Sequence, residues 1–249
     1  MTPRRKNVEP LARERIVEAA MRIIDTEGLG ALSMRRLGAE LGVNPMAAYY
    51  HVPNKAALYD LVLEAVMAGV DLSVIDPSAP EAEQLKQAAR AYRAAILRHP
   101  QAVPVLASRS LRTAAALRPV EPLLGMLFAA GLTPDEALAA VDTVAQYVLG
   151  GLFGYYHHLV DGDVGEQREF EALDTAEFPN ISRVLAEGHY AGFDAEFEFG
   201  LEAIVHGLLD GPRYDLAGSA NLDLNSDPAH ERLDAAHCAR PAGDPEEVS

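Results

Sequence analysis

The sequence lacks several features that would place it in familiar classes of protein. It has no tryptophan and one cysteine, Cys238, so no disulfide can form within one chain and a reducing compartment is expected. The longest apolar run, from Tyr147 to Tyr156, is too short to span a bilayer, and the charged N-terminus lacks the apolar segment of a secretory signal. No stretch alternates polar and apolar residues as a β-strand does. These absences predict a cytoplasmic protein of the all-α class, with no membrane segment.

Charge is unevenly distributed along the chain. The formal net charge of −16 disfavours nucleic acid as a partner when the chain is taken as a whole. Residues 1–55, however, contain nine Lys or Arg residues against six acidic ones, whereas the remainder contains 12 basic and 31 acidic residues. A basic head on an acidic body makes the head the candidate for contact with phosphate. The cluster of Arg4, Arg5 and Lys6 has two interpretations, either part of that contact or a solvated terminus.

The first 55 residues are predicted to form three short helices. Apolar residues recur at helical spacing over residues 11–24, and glycines end this pattern. Ser33 is a suitable N-cap for a second helix that runs to Leu41. A tight turn is predicted at residues 42–44, after which Pro45 occupies the first position of a third helix. Two short helices joined by a tight turn are typical of a helix-turn-helix.

Helical periodicity continues through the body of the chain. The predicted helices cover residues 55–72, 81–98, 101–107, 112–130, 134–160, 180–190 and 194–210, with a polar loop at 161–179. Beyond residue 211 the periodicity ends and Pro, Gly, Asp and Ser accumulate, which indicates a disordered acidic tail. The predicted parts are therefore a basic flexible arm at 1–9, a helix-turn-helix DNA-binding domain at 10–55 with a connecting helix at 55–72, a helical regulatory and dimerisation domain at 73–211, and a tail at 212–249.

The third helix has a face that suits the major groove of DNA, which admits one helix. Its tyrosines and His51 can hydrogen-bond to phosphate oxygens or base edges, and the small Ala47 permits close approach of the backbone. Lys55 begins the next helix, where its ammonium group and the free N–H groups can together hold a phosphate. The alternative is that Tyr49 and Tyr50 are core aromatics, and we expect one of them to pack in part.

The head carries a resemblance to a known family. The segment "ERIVEAAMRIIDTEGLGALSMRRLGAELGVNPMAAYYHVPNKAALYDLVLEAV" resembles the DNA-binding domain of the tetracycline-repressor (TetR) family, over about residues 10–66. The resemblance implies a homodimer in which the third helix of each copy enters the major groove. It implies a base contact for Arg35, a variable start of the recognition helix at Asn44, Pro45, Met46 and Ala47, and contacts to the DNA backbone for Tyr49, Tyr50, His51 and Lys55. Met34 stands where the family often has Thr or Ser, which removes one possible phosphate contact.

The body carries a second resemblance. The segment "FPNISRVLAEGHYAGFDAEFEFGLEAIVHGLL", residues 178–209, and the triplet "RHP" at 98–100 are similar to the C-terminal domain of the tetracycline-repressor subgroup. The resemblance implies that the long helix and the last helix pair with their copies in a four-helix dimer interface. Three glycines within little more than one turn of the long helix are costly unless another helix approaches closely, although packing within one chain is the alternative reason. The predicted interface residues are Gly150, Gly151, Gly154, Phe197, Leu201, Ile204, Val205 and Leu208.

A ligand-responsive regulator also needs a site that binds a small molecule. Apolar, aromatic and methionine side chains on helices expected to surround the centre of the body are suitable linings for a small-molecule pocket, although ordinary core packing is the alternative for each. The predicted lining residues are Tyr92, His99, Val103, Leu106, Leu123, Met126, Leu127, Tyr147, Phe153 and His157. His99 lies near a place where the tetracycline repressor has a metal-ligating histidine, but the other ligands have no counterparts. We therefore expect no metal and no cofactor.

The sequence thus predicts a DNA-binding transcriptional regulator, in the form of a homodimeric repressor that a small molecule releases from a palindromic double-stranded DNA operator. One alternative is a DNA-binding activator or architectural protein without a small ligand, which would have no open cavity in its body. Another is an all-helical enzyme, but no nucleophile elbow and no glycine-rich phosphate loop is found. No catalytic residue is predicted.

Overall fold

A computed structural model describes residues 13–44, 46, 49–109, 111–161, 177–188 and 192–211, with side chains of the long helix described as far as residue 156. Within these ranges all regular structure is helical, which confirms the all-α class. The helices with defined bounds are α1 (Arg13–Glu27), α2 (Met34–Leu41), α3 (Lys55–Ala68), α4 (Glu81–Leu97), α5 (Val103–Ser108), α6 (Ala114–Leu117), α7 (Val120–Ala129), α8 (Pro134–Asp161), α9 (Pro179–Glu187) and α10 (Phe193–Leu209).

The helix-turn-helix follows the signals read from the sequence. The Ser33 hydroxyl accepts a hydrogen bond from the N–H of Arg36 at 3.2 Å and so caps α2. Gly42 ends α2 in the left-handed region, with φ of 67°, a conformation that a residue with a Cβ rarely adopts. Asn44 then caps the next helical segment, because its Oδ1 accepts from the N–H of Met46 at 2.9 Å. This segment, which includes the helical residues Met46 and Tyr49, is called the recognition helix below.

Helix α3 connects this head to the body. The Asn54 side chain caps it by accepting from the N–H of Ala57 at 2.8 Å. The helix buries apolar residues along most of its length, among them Leu58, Val62 and Val66. It ends at Ala68, four residues before the predicted end, because Gly69 follows and closes its last turn.

The body is built around α4, α8 and α10, whose apolar faces share one core with α3 and α5. One predicted element is corrected here. The single helix predicted over 112–130 is two helices, α6 and α7, which meet at Pro119. Proline has no N–H to continue the helical hydrogen-bond ladder, so the pattern is interrupted at this point.

Polar contacts fix α10 against α4. Three basic residues of α4 pair with acids of α10: Lys86 with Glu202 at 2.7 Å, Arg90 with Glu198 at 2.8 Å and Arg93 with Asp194 at 2.7 Å. On the α8 side, the Tyr147 hydroxyl donates to the backbone carbonyl of Phe197 at 2.9 Å, and the two rings stack with centroids 5.8 Å apart.

Helix α8 is unusually apolar for its exposure. By length and composition alone, its stretch from Pro134 to Tyr156 could cross a bilayer, and 28% of that stretch is buried inside the chain. A single helix of this kind is weak evidence for a membrane span, because a helix that is covered by another protein surface has the same composition.

Candidate functional site

The head exposes side chains that can contact DNA. Arg35, on α2, is exposed, and no carboxylate pairs with it in the part of the chain that the structure describes. Its neighbour Arg36 is different, because its guanidinium lies 2.5 Å from Glu27 and 2.9 Å from Glu40. These contacts raise the pKa of Arg36 and lower the pKa of both carboxyl groups. Arg36 is therefore engaged in ion pairs within the chain, whereas Arg35 is available for contact with DNA.

The recognition helix and the turn that follows it are also exposed. The Tyr50 side chain is 90% exposed, and His51 and Met46 are exposed as well. Tyr49 is 42% exposed, so it packs in part, as expected for one of the two tyrosines. Val52 is buried and anchors the end of this stretch in the core of the head.

The start of α3 fits the predicted phosphate contact. Lys55 is the first residue of α3, and its Nζ lies 5.3 Å from the centre of the Tyr59 ring. The cap by Asn54 occupies the N–H of Ala57, which leaves the N–H groups of Lys55 and Ala56 pointing out of the helix end. A phosphate at this position would meet a positive helix end and an ammonium group together.

Some predicted contacts lie outside the described residues. These are Arg4, Arg5 and Lys6 of the arm, and Pro45 and Ala47 of the recognition helix. Asn44 is described, and its side-chain oxygen Oδ1 already accepts the capping hydrogen bond from the N–H of Met46. Its amide NH₂ remains the part that can reach DNA. Met34 is buried, so it belongs to the core of the head rather than to a surface that faces DNA.

The body contains a cavity of about 500 Å³, within the usual size range of small-molecule sites. Its wall is mostly apolar and is shared by all the helices from α3 to α8. Representative lining residues are Leu63, Met67, Leu85, Leu111, Val120 and Leu149. Because Leu63 and Met67 lie on α3, the helix that begins with Lys55, a predicted DNA contact, also forms one wall of the cavity.

Three of the predicted lining residues, Tyr92, Leu106 and Leu123, line this cavity. Val103 and Leu127 are buried in the core, and Met126 packs against it. Tyr147 lines a separate, smaller cavity of about 320 Å³ between α8 and α10. Phe153 is 40% exposed at the surface of α8, and the side chain of His157 lies outside the described residues.

His99 joins the head to the body instead of lining the cavity. Its Nδ1 lies 2.9 Å from the carboxylate of Asp25 on α1. Beside it, Arg98 donates to the backbone carbonyl of Gly69, just beyond α3. Within the described ranges, no group of three or more His, Cys, Asp or Glu side chains could hold a metal ion.

Two polar side chains of the cavity wall are important for its chemistry. Tyr92 has no hydrogen-bond partner among the residues that the structure describes, and burial raises the pKa of Tyr92 to about 12. Its hydroxyl is therefore neutral and free to bind a ligand. Arg109, which sequence analysis missed, lines the same cavity, and its Nε donates to Asp60 of α3 at 2.7 Å. The partner lies 49 residues away in the sequence, so no local pattern could reveal the pair.

The predicted dimer residues fall into two groups. Phe197, Leu201 and Val205 are buried within the chain, where they pack in its own core, so they are not available to a second copy. Ile204 and Leu208 are partly buried against the same core. Gly150, Gly151 and Gly154 are exposed, and a Cβ at any of the three would meet no atom within 4 Å.

The opposite face of α10 is exposed and partly apolar. Phe199 is 80% exposed, and Ala195, Ala203 and Gly207 lie on the same face at four-residue spacing. This face of α10 and the three open glycines of α8 are called the helix-pair surface below.

Comparison with known proteins identifies the family. The profile described as "Bacterial regulatory proteins, tetR family" matches residues 16–62, and the profile "Tetracyclin repressor-like, C-terminal domain" matches residues 76–210. The chain is 33% identical to the HTH-type transcriptional repressor DrrR1 of Streptomyces coeruleorubidus, across 83% of this chain and 80% of that protein.

Solved structures agree with these matches. The TetR family protein ActR of Streptomyces coelicolor, in complex with actinorhodin, is similar with a TM-score of 0.72 and 31% identity, over 82% of this chain and 99% of ActR. TetR-Q116A of Acinetobacter baumannii AYE, in complex with minocycline, is similar with a TM-score of 0.63 and 25% identity, over 79% of this chain and 96% of that chain.

The matched profiles cover the helix-turn-helix and most of the described body, and the relatives are transcriptional regulators rather than enzymes. This confirms the resemblance found in the head and the body and excludes the enzyme alternative. The chain belongs to the tetracycline-repressor (TetR) family and is a DNA-binding transcriptional repressor.

Proposed function

We propose that two copies of this chain form a cytoplasmic dimer that binds a palindromic operator and leaves it when a small molecule fills the body cavity. One observation supports the proposal: α3 begins with Lys55, a predicted DNA contact, and forms a wall of the cavity with Leu63 and Met67. At about 1.5 Å per residue, one rigid helix of some 20 Å therefore connects the two sites. Small shifts at the cavity are carried to the head by this helix.

A small ligand is supported by the cavity and by the relatives. The cavity is large enough for a drug-sized molecule and mostly apolar. ActR has been solved with actinorhodin and with (S)-DNPA, and a related TetR with minocycline. An architectural or activating protein without a ligand would have no use for such a space, so the ligand-responsive alternative is favoured.

The dimer is supported by the helix-pair surface. An exposed Phe199 is unfavourable on an isolated chain, because its phenyl ring is left in water. Each of the three glycines, where an added Cβ would meet no other part of the chain within 4 Å, weakens the helix by about 1 kcal/mol relative to alanine. Close approach of a second copy would bury the ring and offset the glycine cost by packing. A two-fold dimer places two recognition helices about 34 Å apart, or a multiple of it, to match the half-sites of a palindrome.

The domain limits remain predictions, with the DNA-binding domain at 10–55 and the regulatory domain at 73–211. The direct test of function is selection of duplexes from a random pool, followed by titration of the selected duplex with candidate ligands. Ligands are first identified by calorimetry, since the chain has no tryptophan to report binding by fluorescence. We expect ligands that bind the cavity to lower the affinity for the duplex. Unchanged affinity with a ligand bound in the cavity would contradict the proposal.

A further inference from the structure

The position of Arg109 restricts the kind of molecule that the cavity accepts. The wall of the cavity has two described residues that carry a full charge, Arg109 and Asp142, together with the neutral Tyr92 and Gln146. Asp142 and Gln146 are exposed, whereas Arg109 is half-buried, with 27% of its side chain accessible. Inside a largely apolar space, the guanidinium is therefore the group most able to select a ligand by charge.

Arg109 is only partly used by the protein. Its Nε and Nη2 both contact the same oxygen of Asp60, Oδ1, at 2.7 and 2.5 Å. A guanidinium has five N–H donors in a flat fork, so one carboxylate oxygen leaves most of that fork without a partner in the described structure. The free hydroxyl of Tyr92 lines the same cavity and adds a neutral donor.

Asp60 is also the residue that ties the cavity wall to the head. It lies on α3, three residues before Leu63 of the cavity wall and five residues after Lys55 of the DNA-binding surface. The Arg109–Asp60 pair is thus a polar link between the loop after α5 and the connecting helix. Any ligand group that competes for Arg109 acts on this link.

We propose that the effector is a mostly apolar molecule with one acidic group, such as a carboxylate or an ionised phenol, and that this group binds Arg109 in competition with Asp60. An acidic group on the unused N–H donors of Arg109 places a second negative charge beside Asp60, and repulsion between the two anions weakens the hold of Arg109 on Asp60. The effector thereby loosens α3 from the cavity wall. This inference rests on the proposed function, since it assigns the ligand class and the trigger of the same cavity.

Matched pairs of acid and amide test the ligand class. An anthraquinone carboxylic acid and a biphenyl carboxylic acid, each with its carboxamide, have the same shape and differ in charge. We expect calorimetry to give at least about tenfold tighter binding of the acid within a pair. Replacement Arg109→Gln should remove this preference, because the acid and the amide then meet the same neutral side chain. The control is Arg112→Gln, which makes the same charge change at an exposed residue that does not line the cavity.

The competition between the ligand and Asp60 for Arg109 is tested by Asp60→Asn, which keeps the shape of the side chain and removes its charge. The acid should bind this variant more tightly, because its competitor is gone, yet lower the affinity for the selected duplex less than in the wild-type protein. Thermal unfolding establishes that each variant is folded.

Equal binding of acid and amide by the wild-type protein in both pairs, or an acid preference that survives Arg109→Gln, would overturn the inference. These outcomes leave the proposed function intact if an amide still lowers duplex affinity. An acid that binds through Arg109 without any effect on the duplex would instead contradict both the trigger and the release mechanism, while the acid preference itself would stand.

Discussion

At the scale of single residues, the adjacent arginines of α2 have different roles. Arg36 is held by Glu27 and Glu40, whereas Arg35 has no such partner among the described residues. Sequence analysis could select Arg35 only through its resemblance to the family, since two neighbouring arginines look alike in composition. The structure adds the physical reason, which is that the ion pairs of Arg36 remove it from competition for DNA.

The first prediction follows from this difference. Replacement Arg35→Ala should relax discrimination at one base pair of the selected duplex, by about 1–3 kcal/mol, because a base-edge contact is lost. Competition binding with single-base variants of the duplex measures the effect. The matched variant Arg36→Ala should lower thermal stability and keep the base preference. A variant Arg35→Ala with full discrimination would remove Arg35 from the base-reading set.

A second residue-scale prediction concerns Gly200, which sequence analysis did not select. A Cβ at this position would overlap the ring and hydroxyl of Tyr147, and that ring is fixed by its hydrogen bond to Phe197. Replacement Gly200→Ala should therefore lower the free energy of unfolding by about 1–3 kcal/mol. The control is Gly125→Ala, where a Cβ meets no atom within 4 Å and helix propensity should raise stability by up to about 1 kcal/mol. Chemical unfolding of both variants measures these changes. An unchanged free energy of unfolding in Gly200→Ala would contradict the close packing of Tyr147 against Gly200.

At the scale of elements, local signals were sufficient for most helix ends. Ser33, Asn44 and Asn54 act on backbone groups two or three residues away, so their capping roles follow from the sequence around them. The division of residues 112–130 into α6 and α7 was missed, although Pro119 was visible, because apolar spacing on both sides suggested one helix.

Contacts between distant elements could not be predicted in this way. The pairs Arg109–Asp60 and His99–Asp25 join residues 49 and 74 positions apart, and neither has a pattern within one helix. For the same reason the cavity was predicted only in part. Tyr92, Leu106 and Leu123 line it, but the contributions of α3 were not foreseen. Which face of a helix meets a cavity depends on how all the helices pack together.

The ion pairs between α4 and α10 give a prediction on pH. The hydrogen bond from Arg90 lowers the pKa of Glu198 below its ordinary value. The stabilisation is therefore present above the unfolded pKa of about 4.3 and is lost as the pH falls through the lower, folded pKa. Replacement Arg90→Gln should reduce stability at neutral pH and have little effect at about pH 3, as measured by urea unfolding. An equal loss at both pH values would show that the contribution of Arg90 is not electrostatic.

The helix-pair surface gives a prediction on assembly. Replacement Gly151→Leu adds a side chain where the single chain has open space, so the fold should be retained or slightly stabilised. In the proposed dimer the same side chain would occupy the place of the second copy. We expect a monomer in analytical ultracentrifugation, with wild-type helix content by circular dichroism. The control Gly125→Leu, on α7 and outside this surface, should remain a dimer. A dimeric Gly151→Leu protein would place the interface elsewhere.

At the scale of the whole molecule, the charge distribution separates a basic head that can contact DNA from an acidic body. The acidic body repels DNA, so contact is restricted to the basic head, and the net charge of −16 is compatible with a DNA-binding protein for this reason. The all-α fold and the family could be predicted from the sequence, because both depend on helical periodicity and on the head motif. The pairing of two chains is a prediction that follows from the resemblance.

The central claim is that two heads, held by one dimer, read two half-sites of one duplex. Its most direct test is titration of the selected palindrome and of a single half-site by fluorescence anisotropy, at several salt concentrations. The account predicts two chains per palindrome, roughly 100-fold or more weaker binding to the half-site, and affinity that falls with salt at a slope of about −0.9 per neutralised phosphate. Equal affinity for the two duplexes, or affinity independent of salt, would contradict it.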